Sequence, residues 1–213
     1  MDVVFDNLDV FAGGVRTTVA LTAVSYLLAF AGGLVVAACR VSPVLPLRMA
    51  GTVWVEVVRN TPLTVLMVLF FFGFPKIGIQ YSSFLSAVIV LSAYTSAFVG
   101  ETVRAGINAV ARGQAEAARA IGLTFPQTLA SIVLPQAVRT VVGPLGTLFI
   151  ALTKNTAIAS VISAQELTKR ANDLYTVTSD SAVFLGAAVA YMALTLPAGW
   201  AFGVLERRVA VRR

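Results

Sequence analysis

The chain has 213 residues, 58% hydrophobic and 12% charged, with a net charge of +6 and a mean hydropathy of +0.85. A soluble domain carries about twice that charge fraction. Apolar runs long enough to cross a bilayer recur, which excludes an ordinary soluble protein and predicts an all-α polytopic membrane protein. Much of the positive charge sits in connecting loops and in Arg207, Arg208, Arg212 and Arg213. After apolar spans such charge marks the cytoplasmic side of a membrane rather than a nucleic-acid partner. With no histidine, and Cys39 as the single cysteine, the chain cannot form an internal disulfide, a Cys/His metal site or a histidine general base. Cys39 ends a span among small residues and is read as packing. No metal and no cofactor are expected on this chain.

Residues 1–14 carry Asp2, Asp6 and Asp9 and lack the positive start of a signal peptide, so an interfacial lead-in is expected and no cleavage. The first span is placed at Val15–Cys39. Within it Gly32 and Gly33 are either a close helix contact or simply glycines tolerated in lipid. Arg40, Pro43, Pro46 and Arg48 make a tight basic turn. The second segment, Ala50–Pro75, is impure. Glu56 and Arg59 stand three apart on one helical face and can neutralise each other. Asn60-Thr61-Pro62 follows, where proline removes a helix hydrogen bond and favours an extended Thr61. The apolar run Leu63–Phe74 is too short to span alone, so this span is expected to be broken inside the membrane.

Lys76–Ser83 reads as a short external connection, and Phe84 to about Gly100 as the third span, leading into Glu101 and Arg104. That pair is read either as a local ion pair or as solvation of the helix end. The fourth span runs from near Val133 past Pro144 and Gly146 to Leu152. A less regular, external or interfacial stretch extends to about Ser181, carrying Glu166, Lys169, Arg170, Asp173 and Asp180. Val183–Leu205 closes the count, and its Gly199 and Gly203 are a weak helix-contact signal. About five spans put the N-terminus outside and the C-terminus in the cytoplasm, in agreement with the Lys/Arg bias of the loops.

The triplets Arg59-Asn60-Thr61 and Lys154-Asn155-Thr156 repeat one pattern, a cation followed by Asn and Thr, each at a break in an apolar segment. A helix restarting after each would aim its N-terminal N–H groups at the break, as transporters do to hold anionic groups near the midplane. These six residues are therefore the expected substrate path. The alternative is structural: Arg59 paired with Glu56, and Lys154 reaching for the interface.

Between the third and fourth spans lies Glu116-Ala117-Ala118-Arg119-Ala120-Ile121-Gly122, followed after nine residues by Ile132-Val133-Leu134-Pro135. It reads as a short surface helix stopped by Gly122, after which Thr124 and Gln127 fit a capping box with Pro126 in the first turn. Ala117, Ala118 and Ile121 offer small apolar contacts to a partner.

The spacing E-A-A-x3-G-x9-I-x-L-P resembles the coupling loop of ABC importer permeases. Arg59–Thr64, Ala93–Phe98 with Glu101 and Arg104–Ile107, and Leu152–Thr156 further resemble permeases for polar amino acids, most like actinobacterial glutamate uptake permeases. The resemblance covers about residue 15 to the end. It implies a single transmembrane permease domain over 1–213, of type I importer architecture, with the coupling loop at about 113–135. Glu116, Ala117, Ala118, Ile121, Gly122, Leu134 and Pro135 would then grip a separate ATPase. It also implies a second permease subunit, identical or related, two cytoplasmic ATPase subunits that bind ATP and Mg, and an extracytoplasmic amino-acid-binding protein. Closure of the ATPases would rock the membrane halves from inward- to outward-facing. No G-x-x-x-x-G-K-[ST] loop occurs, so the chain is not expected to be the ATPase or any other enzyme. The rival reading is an ATP-independent amino acid channel or secondary carrier, which would be expected to show inverted repeats or unpaired intramembrane carboxylates.

Overall fold

The computed structural model describes residues 2–209, and among these every regular element is helical. Arg212 and Arg213 lie outside the described residues, whereas Arg207 and Arg208 fall in the last turn of the final helix. Helix α1 spans Asp2–Phe5, α2 Leu8–Val41, α3 Leu45–Arg59 and α4 Leu63–Gly73, followed by a 3-10 turn at Phe74–Ile77. Helix α5 runs Ser83–Asn108, α6 Arg112–Ala120, α7 Phe125–Thr128 and α8 Leu134–Asn155. A 3-10 segment, Thr156–Ile162, then leads to α9 (Leu167–Thr178) and α10 (Ala182–Val209).

Four stretches are long and apolar enough to cross a bilayer: α2, α5, α10 and the composite helix Phe125–Ile162. The α3–α4 pair, bent by 100° at its break, makes the fifth candidate. At about 1.5 Å per residue, the 11-residue α4 reaches only about 16 Å, which is half the hydrocarbon thickness. The break falls at Pro62, as its chemistry requires: the ring fixes φ at −59° while ψ of 132° turns the chain out of the helix.

Helices α2 and α5 pack most extensively and form the centre of the bundle. Their contact depends on Gly33 and Gly100. A Cβ on Gly33 would lie 2.4 Å from Val99 Cγ1, and one on Gly100 would lie 2.7 Å from Val36 Cγ1. Of the two readings of Gly33, the close helix contact is the one observed. Around this centre Leu63 and Met67 of α4 pack with Leu21, Leu91, Leu152, Ala159 and Ile162.

Three expectations need correction. The first span begins at Leu8 rather than Val15, because Phe11 and Gly14 are buried against α9 and α10. The stretch 163–181 is neither irregular nor wholly peripheral. It contains α9, whose Leu167 and Ala171 pack with Phe11, Val183 and Ala187, and Glu166 has no exposed surface at all. The triplet Lys154-Asn155-Thr156 does not interrupt its helix, which tightens from α into 3-10 and continues to Ile162.

A five-residue π-helical turn, Leu129–Val133, joins α7 to α8, with the Leu134 N–H donating to the Leu129 carbonyl. Pro135 has no N–H, and in a regular α-turn its ring would crowd the carbonyl of Ser131. The wider turn gives that ring room.

Candidate coupling helix and substrate path

Helix α6 packs lightly on its neighbours, through Ala118, which is 4% exposed and turns inward, and the half-buried Ala115. Of the residues expected to meet a partner, Glu116, Ala117 and Ile121 are exposed and Ala118 is buried. The helix ends in a Schellman motif, its Gly122 N–H donating to Arg119 O and its Leu123 N–H to Ala118 O. Gly122 has a φ of +88°, where a side chain is strained. Thr124 and Gln127 form the expected box, with the Thr124 N–H 2.8 Å from Gln127 Oε1. This tight turn leaves Ile121 80% and Phe125 75% exposed on either side of Gly122. Phe125 was not singled out in the sequence, although its position in the first turn after the cap was legible. Leu134 and Pro135 are exposed and begin α8.

The substrate-path residues divide. Arg59 closes α3 and does not pair with Glu56. No ion pair between them occurs among the described residues, and the Glu56 carboxylate accepts instead from Asn60 Nδ2 at 3.3 Å. The Arg59 guanidinium lies over the Phe98 ring, 5.2 Å from its centroid. Packing enforces this position, since Val55 and Val58 of α3 are buried against Ala97 and thereby set the end of α3 beside Phe98. Asn60 and Thr61 do not cap the next helix. Their side chains donate backwards, to Glu56 O and Val57 O. Helix α4 starts with no side-chain cap at Pro62, so its first N–H groups face the break unclaimed by a capping side chain.

At the second triplet, Lys154 is exposed, Asn155 half-buried and Thr156 fully buried with its hydroxyl on Thr153 O. Asn155 nevertheless meets the neighbourhood of the first triplet. Together with Tyr94, Thr95, Phe98, Leu148, Ala151 and Leu152 it lines a cavity of about 190 Å³ between α5 and α8. The two triplets are thus related through one aromatic wall, Phe98, rather than as two equivalent helix restarts.

Two polar clusters support this arrangement. Arg40 and Arg104 both pair with Glu101, tying the ends of α2 and α5 together close to the start of α6. The expected Glu101–Arg104 pair is present, whereas the contribution of Arg40, 61 positions away, had no local signal. Between the fourth and fifth spans, Glu166 caps α9 by accepting from the N–H groups of Thr168 and Lys169 and from the Tyr191 hydroxyl at 2.7–2.8 Å. Burial raises its carboxyl above the usual carboxylate range, against the opposing pull of those donors.

A multi-pass helical bundle with a broken span, a small, largely apolar cavity between α5 and α8 and a short helix between spans is the plan of a membrane-embedded transport component. Comparison with known proteins identifies which kind. Residues 29–211 match the family described as binding-protein-dependent transport system inner membrane component, and the chain belongs to that family. The glutamate transport system permease protein GluC of Corynebacterium glutamicum is 43% identical, the match covering 92% of each chain. The probable glutamine ABC transporter permease protein GlnM of Bacillus subtilis is 36% identical over 98% of this chain and 97% of its own. Among solved structures, one of an amino acid ABC transporter with histidines superposes with a TM-score of 0.92 at 32% identity, covering 96% of each chain. The protein is therefore a permease subunit, a multi-pass membrane protein and not itself an enzyme. Permeases of this kind work with a separate ATPase and a substrate-binding protein.

Proposed function

We propose that this chain is the permease subunit of an ATP-driven importer of amino acids, with glutamate as its preferred substrate. The observation that carries the coupling half of this reading is α6, a short helix between spans with Ile121 and Phe125 bare at its end. Apolar side chains exposed beside a polar helix suit a groove on a soluble partner. In this scheme α6 faces the cytoplasm, the C-terminus lies inside and the N-terminus outside. Two permease subunits pair, and two ATPase subunits holding ATP and Mg grip Glu116, Ala117, Ile121, Gly122, Leu134 and Pro135.

The substrate half rests on the break. Arg59 against the Phe98 ring, the uncapped start of α4 at the break and Asn155 in the cavity wall supply a cation, N–H donors and an amide, a set that suits an anionic amino acid. Lys154 is exposed and serves at the mouth of the path. A binding protein delivers substrate from outside, and ATPase closure rocks the two permeases between outward- and inward-facing states.

Reconstitution in liposomes with the ATPase and binding protein tests both halves. Glutamate uptake should require ATP and exceed uptake of glutamine, arginine or histidine. Glu116→Ala and Gly122→Ala should abolish binding-protein-stimulated ATP turnover while membrane insertion is kept. Uptake that persists without ATP would replace the importer with a carrier.

A further inference from the structure

We infer that Phe98 is the positioning residue that holds Arg59 beside the cavity as the counter-charge for the side-chain carboxylate of a substrate, and so sets the preference for acidic over neutral amino acids. The inference rests on the importer function proposed above and assigns the part of the chain that chooses the substrate's charge.

The argument begins with what Arg59 does not do. Glu56, one turn back, is engaged by Asn60, and Glu101 is taken by Arg40 and Arg104. No carboxylate lies within ion-pair distance of Arg59 among the described residues. A ring face attracts a guanidinium through its quadrupole and fixes the group in space, as a carboxylate would. The two partners differ in what they leave over. A bidentate ion pair consumes the N–H edge of the guanidinium, whereas stacking on a ring leaves that edge free to receive a second, incoming carboxylate.

The surroundings of Phe98 fit that role. The Tyr94 ring supports it at 5.1 Å, and both are half-buried residues lining the cavity that Asn155 closes from α8. Phe98 is fixed on the central helix α5, while Arg59 ends the helix leading into the 100° break. The contact therefore joins the central helix to the last residue before the break.

The test is uptake by the reconstituted full complex, comparing glutamate with glutamine. If the wild-type complex takes up neither, the proposed function fails, and this assignment with it. If it takes up glutamate, the variants examine Phe98 separately. Phe98→Leu should raise the KM for glutamate about fivefold more than the KM for glutamine, while Phe98→Tyr and Phe98→Trp keep the wild-type ratio of the two. Arg59→Gln, at an exposed position, should abolish the preference and make Phe98→Leu silent in the double variant. Should Phe98→Leu fail to assemble, Phe98→Met makes the same comparison at similar volume. A glutamate-to-glutamine ratio unchanged in Arg59→Gln, or lost equally in Phe98→Leu and Phe98→Tyr, overturns the assignment.

Discussion

Arg40 at the end of α2 and Glu101 near the end of α5 form an ion pair across 61 positions of sequence, and Arg104 completes it from the other side of the same carboxylate. The Arg40 side chain is 12% exposed and that of Arg104 32%, so the two pairs sit in different dielectric surroundings. Less water means a stronger interaction and a larger loss when one partner is removed. Arg40→Ala should cost about 2 kcal/mol of stability and Arg104→Ala less than about 1. Unfolding of the purified permease in nanodiscs measures both. Equal losses would mean that burial does not govern this cluster.

The α2–α5 contact makes a steric prediction. Gly33→Ala would drive a methyl group into Val99 and towards the Gly100 N–H, with an expected cost of about 1–3 kcal/mol. A Cβ on Gly203 meets nothing within 4 Å, so Gly203→Ala should not destabilise, whereas one on Gly199 would lie 3.3 Å from Ile150 Cδ1 of α8. A melting temperature unaffected by Gly33→Ala would show that the two helices can separate freely.

Two glycines, one in the first turn of α6 and one just past its end, should respond in opposite directions. Gly113 lies inside α6 with open space around it, so Gly113→Ala should favour the helix by about 0.5–1 kcal/mol. Gly122 sits at φ +88°, so Gly122→Ala should disfavour the terminating turn by about 1 kcal/mol. Amide hydrogen exchange across 112–124 reads this directly: slower in the first variant, faster in the second. Identical exchange in both would remove the Schellman turn as the element that holds α6.

Glu166 gives a pH dependence of definite sign. Its carboxyl is raised from an ordinary 4.5 by burial, so above that pH the folded chain retains a proton that the unfolded chain has released. Stability contributed by this group is complete below 4.5 and falls as pH rises through the raised value. Glu166→Gln removes the titration. The difference in melting temperature, wild type minus variant, should therefore shrink with rising pH and then level off. A difference that grows with pH would show that the N–H donors of α9 outweigh burial.

Much of this protein was legible without tertiary structure, because the relevant forces act over a few residues. Hydropathy placed the spans, Pro62 broke the second, and Glu116–Gly122 with Thr124 and Gln127 marked a short helix, its glycine stop and the next cap. Apolar runs of this length satisfy their backbone in lipid as helices, and proline and glycine punctuate them locally, so sequence alone determined the architecture and the short helix between the third and fourth spans. Tertiary structure decided which polar groups meet. It gave Arg59 an aromatic partner instead of Glu56, kept Asn155 and Thr156 in a continuous helix, turned Ala118 inward and buried Glu166 under α9. Each outcome depends on packing between segments far apart in the chain, whose free energy no local pattern carries. The fold could be read from hydropathy, but the chemistry at the break came from the way α3 lies on α5.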